Sequence, residues 1–430
     1  GGGGGGGSST DDDDDGGWND PCHFLSTQKH ECDWISDAFP KKGVSKCIIR
    51  RDVDGNEERV PSALHLSSNN LKGSIPIEIG LLTSLKEILL SFNGLRGSIP
   101  ETLGMLVNLR RFIVDENNLS GSIPHSIVNL VDLEMIQIPG SDLSGSIPPT
   151  IFNLPKLLSI NLERNNLSGT LPDFTGNQVN ILSIRLSTNQ LNGTLPWSLG
   201  NLVQTQLLTL DNNQFTGSIP PSITNLTQVI AIVMNDNQIT GNIPTDIGKM
   251  RSIRSVSTFN NNMTGTIPSS LFKLTDIYSL NIGNNQLSGT IPTELGLLTK
   301  LQILDLSNNN FSGSIPDEIE NITTFFLLSL LQNQLTGVIP KSLAHSSNLR
   351  VLDLSSNRLI GNVPLEFKML GDLQILNVYN NDLTGEVNIL CPLTENNLDS
   401  IGADCGGISP EVFCQCCNFC CDREDFCSFV

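Results

Sequence analysis

The sequence predicts an α/β solenoid, in which stacked coils of one repeating unit are closed by a cap at each end. Three observations carry this. The phrase GSIP, or a near copy, returns every 24 residues. Apolar residues alternate over a short run in each unit, the signature of a strand buried on one face. All 11 cysteines lie outside the repeated region.

The register is unbroken. One position reads Asn69, Asn93, Asn117, Ser141, Asn165, Asn189, Asn213, Asn237, Asn261, Asn285, Asn309, Asn333, Asn357 and Asn381, giving 14 units of 24 residues without insertion or deletion. The 430 residues therefore make one long stack rather than several globules. In LQILDLSNNNFSGSIPDEIENITT, Leu304 and Leu306 point inward while Asp305 and Ser307 point out. The weakest inward pair is Val256 and Thr258. The Asn that ends each strand can donate and accept at once, so stacked copies form a ladder. Ser141, beside Pro139 and Gly140, breaks that ladder and predicts a local irregularity. Gly and Pro then turn the chain back, and the last ten or so residues have short helical or 3₁₀ spacing.

The consensus LxxLxLxxNxLxGxIP resembles the plant-type leucine-rich repeat of receptor ectodomains and cell-wall-enzyme inhibitors. This resemblance implies a right-handed superhelix with a concave parallel sheet that carries the ligand surface. The segment CDWISDAFPKKGVSKC is similar to that family's N-terminal cap, matching at Cys32, Trp34, Gly43 and Val44. The tail, with CQCCNFCC, is similar to caps on leucine-rich repeat proteins of diatoms and related algae. Four regions follow: an acidic Gly/Asp linker (1–17), an N-terminal cysteine cap (18–60), the repeats (61–390) and a C-terminal Cys-rich cap and tail (391–430).

Disulfides suit small caps in an oxidising compartment, and Cys32–Cys47 and Cys391–Cys405 are the expected bridges. Zinc binding by the clustered thiols is the rival reading, but no His stands nearby, so no metal and no cofactor are expected. Sequons at Asn118, Asn166, Asn192, Asn225, Asn262, Asn310 and Asn321 also fit an extracellular or cell-surface location, secreted or anchored through a segment outside this sequence. Most of these coincide with the repeat consensus; Asn225 and Asn321 do not.

The net charge is −19, and no basic stripe exists, so nucleic acid and anionic membrane are poor partners. A protein, peptide or glycan is the expected partner, the oligomeric state being open. Contact candidates are outward strand residues whose character the fold does not require. They are Leu89, Phe92, Ile113, Val233, Phe259, Leu331 and Tyr379, with Asp115, Glu116, Glu163, Arg185 and Asp211 among them. The Arg-x-Arg pair by which many plant peptide receptors grip a terminal carboxylate is replaced by Asp305/Ser307, Ser329/Leu331, Asp353/Ser355 and Asn377/Tyr379. No phosphate loop, nucleophile elbow or metalloprotease motif occurs, so catalysis is not expected. The leading expectation is an extracellular recognition module, the ectodomain of a receptor-like cell-surface protein. The alternatives are an adhesive cell-wall protein, or an ice- or polysaccharide-binding surface. The last would use the hydroxyl row Ser74, Ser98, Ser122, Ser146, Thr170, Thr194, Ser218, Thr266, Thr290 and Ser314, whose hydroxyls are expected instead to bond local backbone.

Overall fold

The computed structural model describes residues 43–51, 57–174, 180–391, 398–404, 412–417, 419–421 and 427–429. Coils are numbered here from the ladder position, Asn69 being coil 1. Each coil places a three-residue strand on the concave side, from Glu87–Leu89 in coil 2 to Ile375–Asn377 in coil 14. These strands pair in parallel at a constant offset of one repeat, as in Ile303↔Leu327 and Leu304↔Leu328. The alternation read from the sequence holds over the strand, with Leu304 and Leu306 buried and Asp305 at the surface, but Ser307, expected to face out, is only 4% exposed.

Both edges of this sheet are covered, as an exposed edge would otherwise pair with another chain. At the start, Gly43–Arg51 pairs antiparallel with Glu57–His65, which then joins coil 2. At the end, Ser400–Ala403 continues the parallel ladder, and Phe419–Cys421 with antiparallel Cys427–Phe429 closes it.

A second parallel sheet of 14 strands runs from Lys72–Gly73 to Asp382–Leu383, built from the consensus residues after each ladder position. Its Gly column has positive φ, for example +74° at Gly193, where a Cβ would also lie 2.7 Å from the Thr170 methyl of the preceding coil. A Pro with φ near −70° then leads into a 3₁₀ segment on the convex side, as Pro100 leads into Glu101–Met105. The core lies between the two sheets and these segments, as one continuous apolar cluster from Leu64 to the cap.

The Asn ladder forms as expected. Asn309 Oδ1 accepts from the backbone N–H of Leu287 at 2.9 Å, while Nδ2 donates to the carbonyls of Ile282, Leu306 and Ser307 at 3.0–3.2 Å. One side chain thus ties two coils together. In coil 4 the rung is missing: Ser141 Oγ donates only to the Asn117 carbonyl, at 3.3 Å. The backbone there is nevertheless regular, since Ser141 N–H donates to Arg164 just as Asn165 N–H donates to Thr188. Replacing Ser141→Asn should therefore restore the rung. A gain of about 1 kcal/mol in unfolding free energy is expected in urea titration.

The weak inward pair also has a structural counterpart. Thr258 is buried with its hydroxyl unbonded. It lines an apolar cavity of about 30 Å³ together with Met234, Met250, Val256 and Met263. A buried hydroxyl without a partner costs roughly 1–3 kcal/mol. Thr258→Val keeps the shape and removes that group, so stability should rise by about 1 kcal/mol. The same urea titration checks this.

Candidate partner-binding face

Three outward columns stand on the concave sheet, because each strand shows its first and third residues and the residue two further on. Sequence reasoning used the second and third columns and missed the first, which begins Glu87, Arg111 and Met135. The first two coils are linked on this face by His65 Nε2 and Glu87 Oε2, 2.9 Å apart.

The apolar candidates gather where the stack begins. Phe92 is 61% exposed, the most open of them. Leu89 is half-buried and sits in register with Ile113. Ile113 departs from expectation: it is only 9% exposed. It belongs to the outer face rather than the core cluster. Its register partners Leu89 and Gln137 flank it across the sheet, and Arg111 and Asp115 lie two residues before and after it in the chain. Ile113 is thus the floor of the patch, not a protruding anchor.

Phe92 carries a further signal. Its φ is +57°, in the left-handed region. The residue before each ladder position repeats this conformation, and Asn212, Asn260, Asn284, Asn308 and Asn380 occupy it in other coils. Asn tolerates that region, whereas a bulky residue there costs about 1–2 kcal/mol. An exposed aromatic ring held in this backbone is not explained by packing.

Most of the acidic band is already engaged. Glu116 of coil 3 forms an ion pair with Arg164 of coil 5, passing over coil 4. Gly140 makes this possible, since a Cβ there would lie 2.7 Å from the Glu116 carboxylate. This accounts for the Gly in the irregular coil. Glu163 Oε1 accepts from Thr209 Oγ1 at 3.1 Å. Asp211 accepts from Ser187 Oγ at 2.5 Å and from Asn212 Nδ2 at 3.0 Å.

Asp115 stands apart. Its Oδ1 is enclosed without a hydrogen-bond partner, and so is Nε of Arg111, four residues earlier. Burial pushes its carboxyl up to about 6, with the neighbouring Glu116 charge adding to this and the Asp115 backbone N–H opposing it. The folded state therefore keeps a proton between about pH 4 and 6 that the unfolded chain has lost. Stability should fall as pH rises through that window, by about 1 kcal/mol once the half-exposed position is allowed for. Asp115→Asn should flatten the fall, as measured by urea midpoints at pH 4, 5, 6 and 7.

The remaining candidates are dispersed. Arg185 is exposed; Val233, Phe259 and Leu331 are half-buried along the face. The Tyr379 ring lies over Gly402, where a Cβ would be 2.9 Å from Cδ1, so this side chain packs against the last coil. A row also missed lies one residue before the strands. Leu158, Leu182, Ile230, Tyr278 and Phe326 are exposed there, and Arg350 sits 5.1 Å from the Phe326 ring centre.

The cap corrects one disulfide. Cys391 bonds to Cys416, not Cys405, and Cys414 bonds to Cys417. The chain after Ala403 returns so that Val412–Phe413 pairs with Gly385–Glu386, and Gln415 N–H donates to Asn388 Oδ1 at 2.7 Å. This brings Cys416 beside Cys391. Cys405 and Cys32 lie outside the described residues, so the Cys32–Cys47 bridge does too. Cys420 is also disulfide-bonded, so four of the CQCCNFCC thiols are committed to bridges. No group of three or more His, Cys, Asp and Glu that could hold a metal occurs among the described residues.

The sequon asparagines are exposed at Asn118, Asn166, Asn225, Asn262, Asn310 and Asn321, and half-buried at Asn192. The hydroxyl row lies on the second sheet, fully exposed from Ser74 to Ser314. Its hydroxyls do not bond local backbone as expected. The contacts are made by the methyls instead, Thr194 Cγ2 against Gly217 and Thr290 Cγ2 against Gly313.

Comparison with known proteins agrees with this architecture. Residues 84–106, 204–226, 276–298, 300–322 and 348–370 match the family model described as Leucine Rich Repeat. The plant peptide hormone receptor RGFR1, solved in complex with RGF2, is 32% identical with a TM-score of 0.71, over 80% of this chain and 58% of that one. The TDR receptor is 29% identical with a TM-score of 0.73, over 80% and 64%. The Arabidopsis receptor kinase HAESA, in complex with the peptide hormone IDA and the co-receptor SERK1, is 26% identical with a TM-score of 0.62, over 86% and 76%. No significant match was found among curated protein sequences. The five matched segments of the chain are leucine-rich repeats. The solenoid is similar to plant receptor ectodomains, and the chain spans less than two thirds of the RGFR1 and TDR chains.

Proposed function

We propose that this solenoid is an extracellular recognition module that binds a peptide or protein segment on its concave face, centred on coils 2 to 4. The observation that carries the reading is the patch itself. An exposed Phe92 in strained backbone follows the strand that carries Leu89, which pairs with Ile113 to form an apolar floor. An exposed aromatic ring beside an apolar floor is what binding surfaces use as an anchor. RGFR1 is a plant peptide hormone receptor in complex with RGF2 and HAESA is in complex with the peptide hormone IDA, and the disulfides of the cap suit an oxidising compartment. Binding here works by preorganised complementarity, with no chemical step. A displayed random peptide library tests it: peptides enriched by the full chain should lose at least tenfold affinity for Leu89→Asp. Equal affinity for that variant would contradict the reading.

A second reading rests on the unbonded, regularly spaced hydroxyls of the second sheet, which suit a repetitive ligand such as ice or a polysaccharide. An ice-growth assay with the full chain, and a Thr170→Lys/Thr194→Lys variant as control, tests it directly.

A further inference from the structure

Coil 8 differs from its neighbours on the convex side. Its 3₁₀ segment is Ile247–Lys249, only three residues, because Thr245 and Asp246 form a separate turn before it, closed by Ile247 N–H donating to the Pro244 carbonyl. Adjacent coils have five-residue segments that start directly after Pro, at Pro221 and Ser269. The shortened ledge opens a cleft of about 490 Å³ across coils 7 to 9. Its walls carry Asn225, Thr227, Lys249, Arg251, Ser270 and Lys273.

The charge of this cleft runs against that of the chain. The net charge is −19, and no Lys or Arg occurs between Arg185 and Lys249; then Lys249, Arg251, Arg254 and Lys273 follow within one repeat length. Two of these are spoken for: Lys249 pairs with Asp246 at 2.6 Å, and Arg254 with Asp276 at 3.1 Å. Arg251 and Lys273 make no ion pair among the described residues, and both are exposed at the cleft. The 24-residue register sets Asn225, Lys249 and Lys273 in one column and Thr227 and Arg251 in the next. The stack therefore holds two unpaired cations beside amide and hydroxyl groups at fixed separations.

We propose that this convex cleft binds an acidic saccharide, its sulfate or carboxylate held by Arg251 and Lys273 and its ring hydroxyls by Asn225 and Thr227. A lone oxyanion would leave most of the cleft empty. A sugar ring fills it and uses the neutral polar rim, which can both donate and accept. The site lies away from the concave patch and does not depend on that reading.

The test uses the full chain, shown by peptide mass to carry no glycan at Asn225, and isothermal titration with four probes. These are a uronate tetrasaccharide, a sulfated tetrasaccharide, a neutral glucan tetrasaccharide and inorganic sulfate. At least one acidic saccharide should bind tenfold or more tighter than the neutral one, and more weakly as salt is raised. Whether uronate or sulfated sugar binds tighter identifies the acidic group. Arg251→Gln/Lys273→Gln, with an unchanged melting temperature, should lose tenfold or more, while Phe92→Asn should bind as before. Equal binding of the neutral sugar, undiminished binding by the double variant, or no binding of either acidic saccharide would overturn the proposal. Sulfate alone binding as tightly as the acidic saccharides would overturn its saccharide part.

Discussion

Asn309→Ala should lower the unfolding free energy by about 3 kcal/mol, a large loss for a single polar side chain. The reason is specific. The carbonyls that Asn309 serves keep other donors: Leu306 also accepts from Asn333, Ile282 from Asn285, and Ser307 from the backbone of Asn284. The Leu287 N–H has no such alternative, since Asn309 Oδ1 is its acceptor and the site is buried. An orphaned buried N–H costs roughly 1–3 kcal/mol, and the lost amide bonds and small void add to it. Repeat proteins can unfold in sections, so a global midpoint alone would blur the result. Amide exchange at Leu287 reads it locally: protection there should fall more than protection at Leu191, four coils earlier, whose N–H donates to Asn213 Oδ1. Equal protection in variant and wild type would show that the ladder does not carry the load assigned to it. Coil 4, which manages with Ser141, shows that one missing rung is survivable when the neighbouring rungs at Asn117 and Asn165 are intact.

Phe92→Asn should have two opposite effects. Asn fits the left-handed conformation, so stability should rise by about 1 kcal/mol. Binding of any concave-face ligand should weaken by tenfold or more, because a 61%-exposed ring is removed from the patch. Most contact substitutions leave doubt between misfolding and lost contact. Here the variant folds better and binds worse, so the two are separated. Thermal melting and titration of a library-selected peptide check the pair of outcomes. A gain in stability with unchanged affinity would remove Phe92 from the site and leave its backbone strain without a functional reason.

The fold was legible because each of its determinants repeats. A 24-residue period sets the register, the alternation of Leu304 and Leu306 sets the strand, and Asn309 announces its own ladder. The site was legible only in part. Columns of outward residues follow from the period, and Leu89, Phe92 and Asp115 were found that way. The depth of Ile113 was not, since burial on an outer face depends on how tall four neighbours stand. The bridge from Glu116 to Arg164 spans two periods and needs the Gly between them, a pattern visible only when coils are compared two apart. The left-handed position before each ladder Asn did leave a trace, the run of Asn at 212, 260, 284, 308 and 380. The disulfide partner of Cys391 was not deducible, because eight cysteines crowd the tail and no period orders them. The cleft at coil 8 left no sequence signal beyond its cations.

Amide hydrogen exchange of the full chain, with and without a library-selected peptide, tests the central claim most directly. The account predicts added protection at the strands Glu87–Leu89, Arg111–Ile113 and Met135–Gln137, with the convex 3₁₀ segments and the second sheet unchanged. Protection confined to the second sheet or to the convex side, with these three strands exchanging as before, would contradict it.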